Sequence, residues 1–253
     1  MSAPTDIRLP QRVVERCMGT VFSVDVRAPG VDRRALTEVL RWLHWVDETF
    51  STYLPGSQVS RLARGELSPG ECAPEVREVL DRCAELERIT DGYFSAFADG
   101  RLDPSGLVKG WAIERASGML AERGSLNHCV NGGGDVQCAG ESQPGRPWRI
   151  GLADPLRPGM LVGVAVGTDM AVATSGTAER GAHIVDPHSG ARPAELASVC
   201  LVGRNLATVD AFATAAFAMG AAAPDWIAGR SAMSGGVVFA DGSIWMSAEL
   251  TPA

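Results

Sequence analysis

The chain reads as an α+β protein, since helical patterns fill its first half and strand patterns its second, without the alternation of a doubly wound sheet. Three observations predict this. Two long stretches before residue 90 set apolar residues at helical spacing. From residue 127 onward, short β-branched runs are divided by Gly and Pro. The last two runs, Val237–Phe239 and Ile244–Met246, flank Asp241-Gly242, a strong hairpin signal. With 253 residues, 45% hydrophobic and 21% charged, the expectation is one compact unit over residues 1–253, with two lobes and no clear boundary between them.

Each element has its own signal. Arg12 to Val26 alternates as a strand pair turning at Met18-Gly19-Thr20. Asp32 to Thr49 places Leu36, Val39, Leu40, Leu43 and Val46 on one helical face, with Trp42 and Trp45 read as core residues. A polar stretch, Ser51 to Ser57, leads into a short helix through Leu62. Pro74 opens the next helix, because its fixed φ and missing N–H suit a first turn; Val76, Val79, Leu80, Cys83, Leu86 and Ile89 follow at helical spacing. Thr90 to Ser105, with Asp-Gly twice and one Pro, is a loop. Gly106 to Arg123 is a helix closed by Gly124. Strands are expected at Asn127–Val130, Val136–Ala139, Trp148–Leu152, Leu161–Val166, Met170–Thr174 and Val199–Val202, and a helix at Thr208–Met219. The Gly-Ala-Ala-Ala-Pro stretch near residue 222 separates two helices.

Composition removes several function classes. A formal net charge of −7 argues against a nucleic-acid partner, which needs a basic face. It leaves room for a phosphate-bearing small ligand held locally by one Lys, backbone N–H groups or a metal. No stretch approaches the roughly 18 apolar residues of a membrane span, and Met1 to Pro10 lacks the apolar centre of an export signal. Six cysteines lie scattered without a Cys-x-x-Cys pair, so free thiols in a cytoplasmic protein are expected, with no zinc or redox role.

Several residues carry chemistry. Asp210 and Thr214 stand four apart in an Ala-rich, almost uncharged helix, and so share a face. A buried carboxylate needs a partner, and that helix offers no Lys or Arg. A hard cation such as Mg²⁺ is one reading; an Asp capping N–H groups at the helix start is the other. Lys109 falls early in an apolar helix, where the macrodipole disfavours a cation and an anion would be welcome; a surface lysine is the alternative. Asp103, just ahead, either takes a ribose hydroxyl or caps that helix. The three glycines between Asn131 and Asp135 either bring backbone N–H groups close to a ligand or make a tight β-turn. His183 opens a segment that turns at Asp186-Pro187 and Ser189-Gly190, as a ligand contact or as a structural histidine. Ser175 lies outside a Gly-x-Ser-x-Gly elbow, so it is not read as a hydrolase nucleophile.

Taken in order, these segments resemble the FAD:protein FMN transferase (ApbE) family. The resemblance runs from Met18-Gly19-Thr20 through Ser51-Thr52-Tyr53, Ser57 to Leu62, Thr90 to Phe94, Leu102-Asp103, Val108 to Ala112 and Val130 to Asp135. It continues through Trp148 to Gly151, Ala173 to Gly176, His183 to Pro187 and Asp210 to Ala215. It implies mixed, mainly antiparallel sheets flanked by helices. It also implies an Mg²⁺-dependent enzyme with FAD as substrate, which attaches the FMN half through a phosphoester to a Thr or Ser of a target flavoprotein and releases AMP. Some members hydrolyse FAD to FMN and AMP instead, and a non-catalytic FAD-binding protein is the remaining alternative. Carried over by motif, the metal ligands are the Gly106 carbonyl, Asp210 and Thr214. Met18, Tyr53, Ala96, Phe97, Ala98, Asp103, Lys109 and His183 match the positions around FAD. Lys109, Asp210 and His183 are the implied catalytic groups, with His183 as base or flavin contact. The chain departs from the family at Ser95, where an Asp is common, and at Pro104, where an aliphatic residue is usual.

Overall fold

The computed structural model describes residues 11–27, 32–177 and 184–253. It opens with the hairpin β1 (Gln11–Cys17) and β2 (Thr20–Val26), whose turn residues Met18 and Gly19 both have positive φ, 49° and 71°. Helix α1 (Arg33–Phe50) starts at Asp32, whose side chain accepts a hydrogen bond from the Arg34 N–H and so satisfies one orphan donor of the first turn. Helices α2 (Gln58–Ala63) and α3 (Pro74–Ile89) follow, the latter with proline at its first position. Residues 90–104 hold no helix or strand, and then α4 runs over Ser105–Glu122.

Strands β3 (His128–Gly132), β4 (Asp135–Ala139), β5 (Trp148–Ala153), β6 (Leu161–Gly167), β7 (Ala171–Gly176) and β8 (Leu196–Gly203) come next. Helix α5 (Leu206–Ala218) and the short α6 (Ala223–Ala228) precede β9 (Ser234–Phe239), β10 (Ile244–Met246) and β11 (Thr251–Pro252). Eight strands form one sheet in the order β1-β2-β3-β4-β7-β8-β9-β10, and three form another in the order β11-β6-β5. Every pairing between these strands is antiparallel. The fold is α+β, with antiparallel sheets flanked by helices.

Strand alternation sorts the large sheet's side chains between two cores. On one face Phe22, Val24, Val130, Ala171, Ala173, Val199, Leu201 and Val237 pack against the helices. On the other, Val136, Cys138, Val172, Cys200 and Val238 pack against Trp148, Leu152, Val162 and Ala165 of the small sheet. The central strand β8 is therefore buried on both sides, which is why it reads as a continuous apolar run rather than an alternating one. Among the described residues, no helix is long and apolar enough to cross a membrane. Two features of this fold leave no signal in the residue pattern. The two-residue β11 is too short for any periodicity, and β8 begins at Leu196, three residues before the β-branched run that marks it.

Candidate active site

Helices α4 and α5 cross where α4 has no side chain. A Cβ on Gly110 would lie 2.7 Å from the Asp210 Cβ and 2.8 Å from the Leu206 carbonyl oxygen, so only glycine permits this approach. The N–H of Gly110 donates to Asp210 Oδ2 at 2.9 Å. In a regular helix that N–H is directed at the carbonyl four residues back, which is Gly106. A donor shared with Asp210 leaves the Gly106 carbonyl with lone-pair capacity on the same side.

Asp210 does not cap its own helix. The first N–H groups of α5 are satisfied from other elements: Leu206 donates to Gln137 Oε1 at 3.0 Å, and Ala207 to Glu114 Oε2 at 2.9 Å. Asp210 is the fifth residue of α5 and is 4% exposed. One turn on, Thr214 Oγ1 lies 3.3 Å from Ser175 Oγ of β7. Gly106 stands on the facing side, since a Cβ there would sit 3.8 Å from Thr214 Oγ1. A carboxylate, two hydroxyls and a backbone carbonyl thus converge.

Lys109 reaches Asp135, a carboxylate only 1% exposed at the start of β4, and the two form an ion pair. The other oxygen of Asp135 accepts the Thr174 N–H at 3.0 Å, so one buried carboxylate fixes both the ammonium and the strand that carries Ser175. Asp103 Oδ1, one residue ahead of the N-cap Pro104, accepts the N–H of Ser105, the first residue of α4, at 2.9 Å. Gly133 and Gly134 have positive φ and form the β3–β4 turn. Their N–H groups are taken by the Val21 carbonyl at 3.2 Å and by Asn131 Oδ1 at 3.2 Å. The glycine run is accordingly a tight turn, not a cradle of free amides.

These groups surround a cavity of about 340 Å³. Its lining includes Tyr93, Phe94, Ser95, Ala98, Asp99, Asp103, Gly106 and Lys109, together with Gly133, Gly134, Gly151, Ala153, Ser175, Asp210 and Thr214. Of the residues singled out from sequence, the structure brings Ala98, Asp103, Gly106, Lys109, Asp210 and Thr214 to this cavity. Ala96 is buried in the main core, with its carbonyl accepting the Asp103 N–H at 2.7 Å. Tyr53 is 91% and Phe97 57% exposed, and neither is part of the described lining. Met18 sits at the β1–β2 turn, its N–H donated to Asp47 Oδ2 at 3.0 Å, also away from that lining. His183 lies outside the described residues.

Asp135 and Ser175 stand out in the sequence without a role attached to either; in the structure both hold other groups of the site. The only signal for Asp135 is its place at the end of the glycine turn. Its pairing with Lys109 depends on a helix–sheet contact that no spacing reveals. Among the described residues there is no cluster of three or more His, Cys, Asp or Glu side chains that could hold a metal. Any cation here would rest on one carboxylate and neutral oxygens. That suits Mg²⁺, which binds through one or two carboxylates and keeps further positions for water and substrate phosphates.

Comparison with known proteins bears on the family and the fold. The sequence profile of the ApbE family matches residues 18–100 and 96–235. A Vibrio cholerae protein named FAD:protein FMN transferase is 25% identical over 266 residues, covering 80% of this chain and 79% of the relative. A Rhodobacter capsulatus protein of the same name is 32% identical over 163 residues, 59% of this chain and 30% of the relative. The crystal structure of the ApbE protein from Thermotoga maritima superposes with a TM-score of 0.82 at 21% identity, covering 94% of this chain and 97% of the other. The flavin transferase ApbE of Vibrio cholerae superposes with a TM-score of 0.80 at 21% identity, covering 95% and 98%. With the profile spanning most of the sequence and the fold shared end to end, the chain belongs to the ApbE family.

Proposed function

We propose that this chain is an Mg²⁺-dependent FAD:protein FMN transferase, attaching FMN through a phosphoester to a Thr or Ser hydroxyl of a target flavoprotein and releasing AMP. The observation that carries the reading is the convergence of Asp210, Thr214 and Gly106 beside Lys109 in one cavity. The relatives that bear this activity in their names support it. The charge balance supports the metal. The described lining holds the carboxylates Asp99, Asp103 and Asp210 but a single cationic side chain, Lys109, itself paired with Asp135. An anionic diphosphate needs more positive charge than that lining supplies.

Asp210, Thr214 and the Gly106 carbonyl would hold Mg²⁺, and when bound it would neutralise phosphate charge and ease departure of AMP. The remaining work falls to the chain. Lys109 offers its ammonium to the diphosphate oxygens, and Asp135 holds it in place so that little reorganisation accompanies charge development. The Ser175 hydroxyl, 3.3 Å from that of Thr214, holds the Thr214 hydroxyl in place at the cavity. Tyr93 and Phe94 give the cavity an aromatic wall, and the acceptor hydroxyl would have to enter in line with the leaving group. Removing the acceptor proton requires a base, and His183 is the proposed one.

Asp210→Ala tests the reading. FAD cleavage in the presence of Mg²⁺ should fall at least a hundredfold while FAD still binds. Unchanged turnover would overturn the assignment.

A further inference from the structure

The proposed chemistry uses Asp135 at the head of β4 but not the rest of the β3–β4 hairpin, whose stem sets two thiols face to face. Cys129 and Cys138 are direct cross-strand partners. Gly133 and Gly134, with φ of 59° and 91°, make a two-residue type I′ turn, in which Gly132 and Asp135 form the hydrogen-bonded closing pair. Hydrogen-bonded and non-hydrogen-bonded pairs alternate along an antiparallel ladder, which makes Cys129 and Cys138 a non-hydrogen-bonded pair. Consistently, the Cys138 N–H points away from β3 and donates to the Met170 carbonyl at 2.8 Å. In such pairs the Cα atoms lie about 4.5 Å apart, within the ~4.4–6.8 Å that a disulfide spans.

The two thiols differ in access. Cys138 is 1% exposed inside the second core, whereas Cys129 is half-buried at the margin of that core. The hydrogen-bonded contact with Cys129, and then burial, push the Cys138 thiol far up. Cys200, the other cysteine of this sheet near the same core, stands opposite Thr174 and Gly236 rather than a thiol.

We propose that Cys129 and Cys138 form a dithiol site that takes up a two-electron oxidant of the low-molecular-weight disulfide class and closes as an intramolecular cross-strand disulfide. The Cys129 thiolate attacks one sulfur of the reagent, forming a mixed disulfide and expelling one reagent thiolate, which takes up a proton. Cys138 then loses its proton and attacks the Cys129 sulfur, forming the internal bond and expelling the second reagent thiolate. Two protein thiols and one reagent disulfide thus become one protein disulfide and two reagent thiols. The second step is the slower one, because Cys138 is buried and its thiolate is disfavoured. The bond joins the two strands that carry Asp135 and the Gly133-Gly134 turn to the cavity.

The test is incubation of the full chain with oxidised glutathione at neutral pH, blocking of remaining thiols with a maleimide, and non-reducing peptide mapping. The expected result is a transient glutathione adduct on Cys129, then a peptide pair joined through Cys129 and Cys138, reversed by dithiothreitol. Cys138→Ala should stop at the Cys129 adduct, and Cys129→Ser should leave Cys138 a free thiol. Recovery of both cysteines as thiols, a persistent adduct on Cys129 in the unaltered chain, or linkage to any other cysteine would overturn the proposal.

Discussion

Two glycine-to-alanine substitutions in α4 should have opposite signs. A Cβ on Gly110 would meet the Asp210 Cβ at 2.7 Å, the Leu206 carbonyl at 2.8 Å and Asp210 Oδ2 at 3.0 Å. The first two are a backbone-proximal carbon and a backbone oxygen, which cannot swing aside. Overpacking of this kind costs about 1–3 kcal/mol. Weakening the Gly110–Asp210 hydrogen bond, whose acceptor is a buried carboxylate, adds about 1.5–3 kcal/mol. Alanine's better helix propensity returns about 0.8–1 kcal/mol. The net expectation for Gly110→Ala is a loss of about 2–4 kcal/mol, by summing these ranges and allowing for partial relaxation.

Gly118 lies two turns later on the exposed side of the same helix, with nothing within 4 Å of the point an alanine methyl would occupy. Gly118→Ala should therefore stabilise by about 0.5–1 kcal/mol. Guanidinium unfolding, with midpoints and slopes compared across both variants and the unaltered chain, reads the difference directly. In thermal unfolding the two variants should separate by roughly 5–20 °C, at about 2–4 °C per kcal/mol for a chain of this size. Gly110→Ala should also lose FAD cleavage, because the displaced helix carries Asp210 and Thr214. Equal midpoints for the two variants, or a Gly110→Ala midpoint above that of the unaltered chain, would show that the α4–α5 crossing does not depend on Gly110.

Three further outcomes follow from the same geometry. Asp135→Ala should cost about 3–5 kcal/mol by breaking the buried ion pair with Lys109 and removing the acceptor of the Thr174 N–H, and the Lys109→Met/Asp135→Ala double variant should recover part of that loss; strictly additive losses would show that the two groups are uncoupled. Thr214→Val should raise the Mg²⁺ concentration needed for half-maximal FAD cleavage at least tenfold, and an unchanged Mg²⁺ dependence would remove Thr214 from the ligand set. His128 is fully buried between Ser117 Oγ at 2.7 Å and Ser125 at 3.1 Å, and burial holds its pKa below the usual value. The unfolded chain then binds the proton more readily, so stability is full above about pH 6.5 and falls as pH drops below it toward the folded-state value. Urea midpoints between pH 7 and pH 5 should show that slope, and His128→Asn should flatten it.

Much of the fold can be read from residue patterns, and the reasons for success and failure are physical. Helices α1 and α3 announce themselves because each buries one face and exposes the other, so their apolar residues recur at helical spacing. Helix α5 is apolar nearly all round, and α4 buries residues on most of its faces while exposing only a few, so neither shows that contrast clearly; composition and flanking Gly and Pro mark them instead. The sequence puts the start of α5 two residues late, at Thr208, because its first N–H groups are capped by Gln137 and Glu114 from other elements rather than by a local Ser, Thr or Asp. Local rules detect local caps alone.

The candidate site shows the same division. Asp210 and Thr214 are legible as a pair because one helix turn relates them. Their proximity to Lys109 and Gly106 is implied by family resemblance and depends on the α4–α5 crossing at Gly110. Asp135 and Ser175 act through tertiary contacts, with Lys109 and Thr214 respectively, that leave no mark in spacing. All six cysteines are free thiols, as the scattered spacing predicts. That spacing does not reveal that Cys129 and Cys138 face each other, because in a hairpin it is distance from the turn that matters, not separation along the chain.

Flavin transfer itself is best tested by mass spectrometry of a flavoprotein domain bearing a candidate acceptor Thr, after incubation with this chain, FAD and Mg²⁺, with AMP measured in the same reaction. The domain should gain one FMN through the Thr oxygen, with one AMP released per adduct and none without Mg²⁺. Intact FAD would contradict catalysis, and AMP accompanied by free FMN without any adduct would contradict transfer.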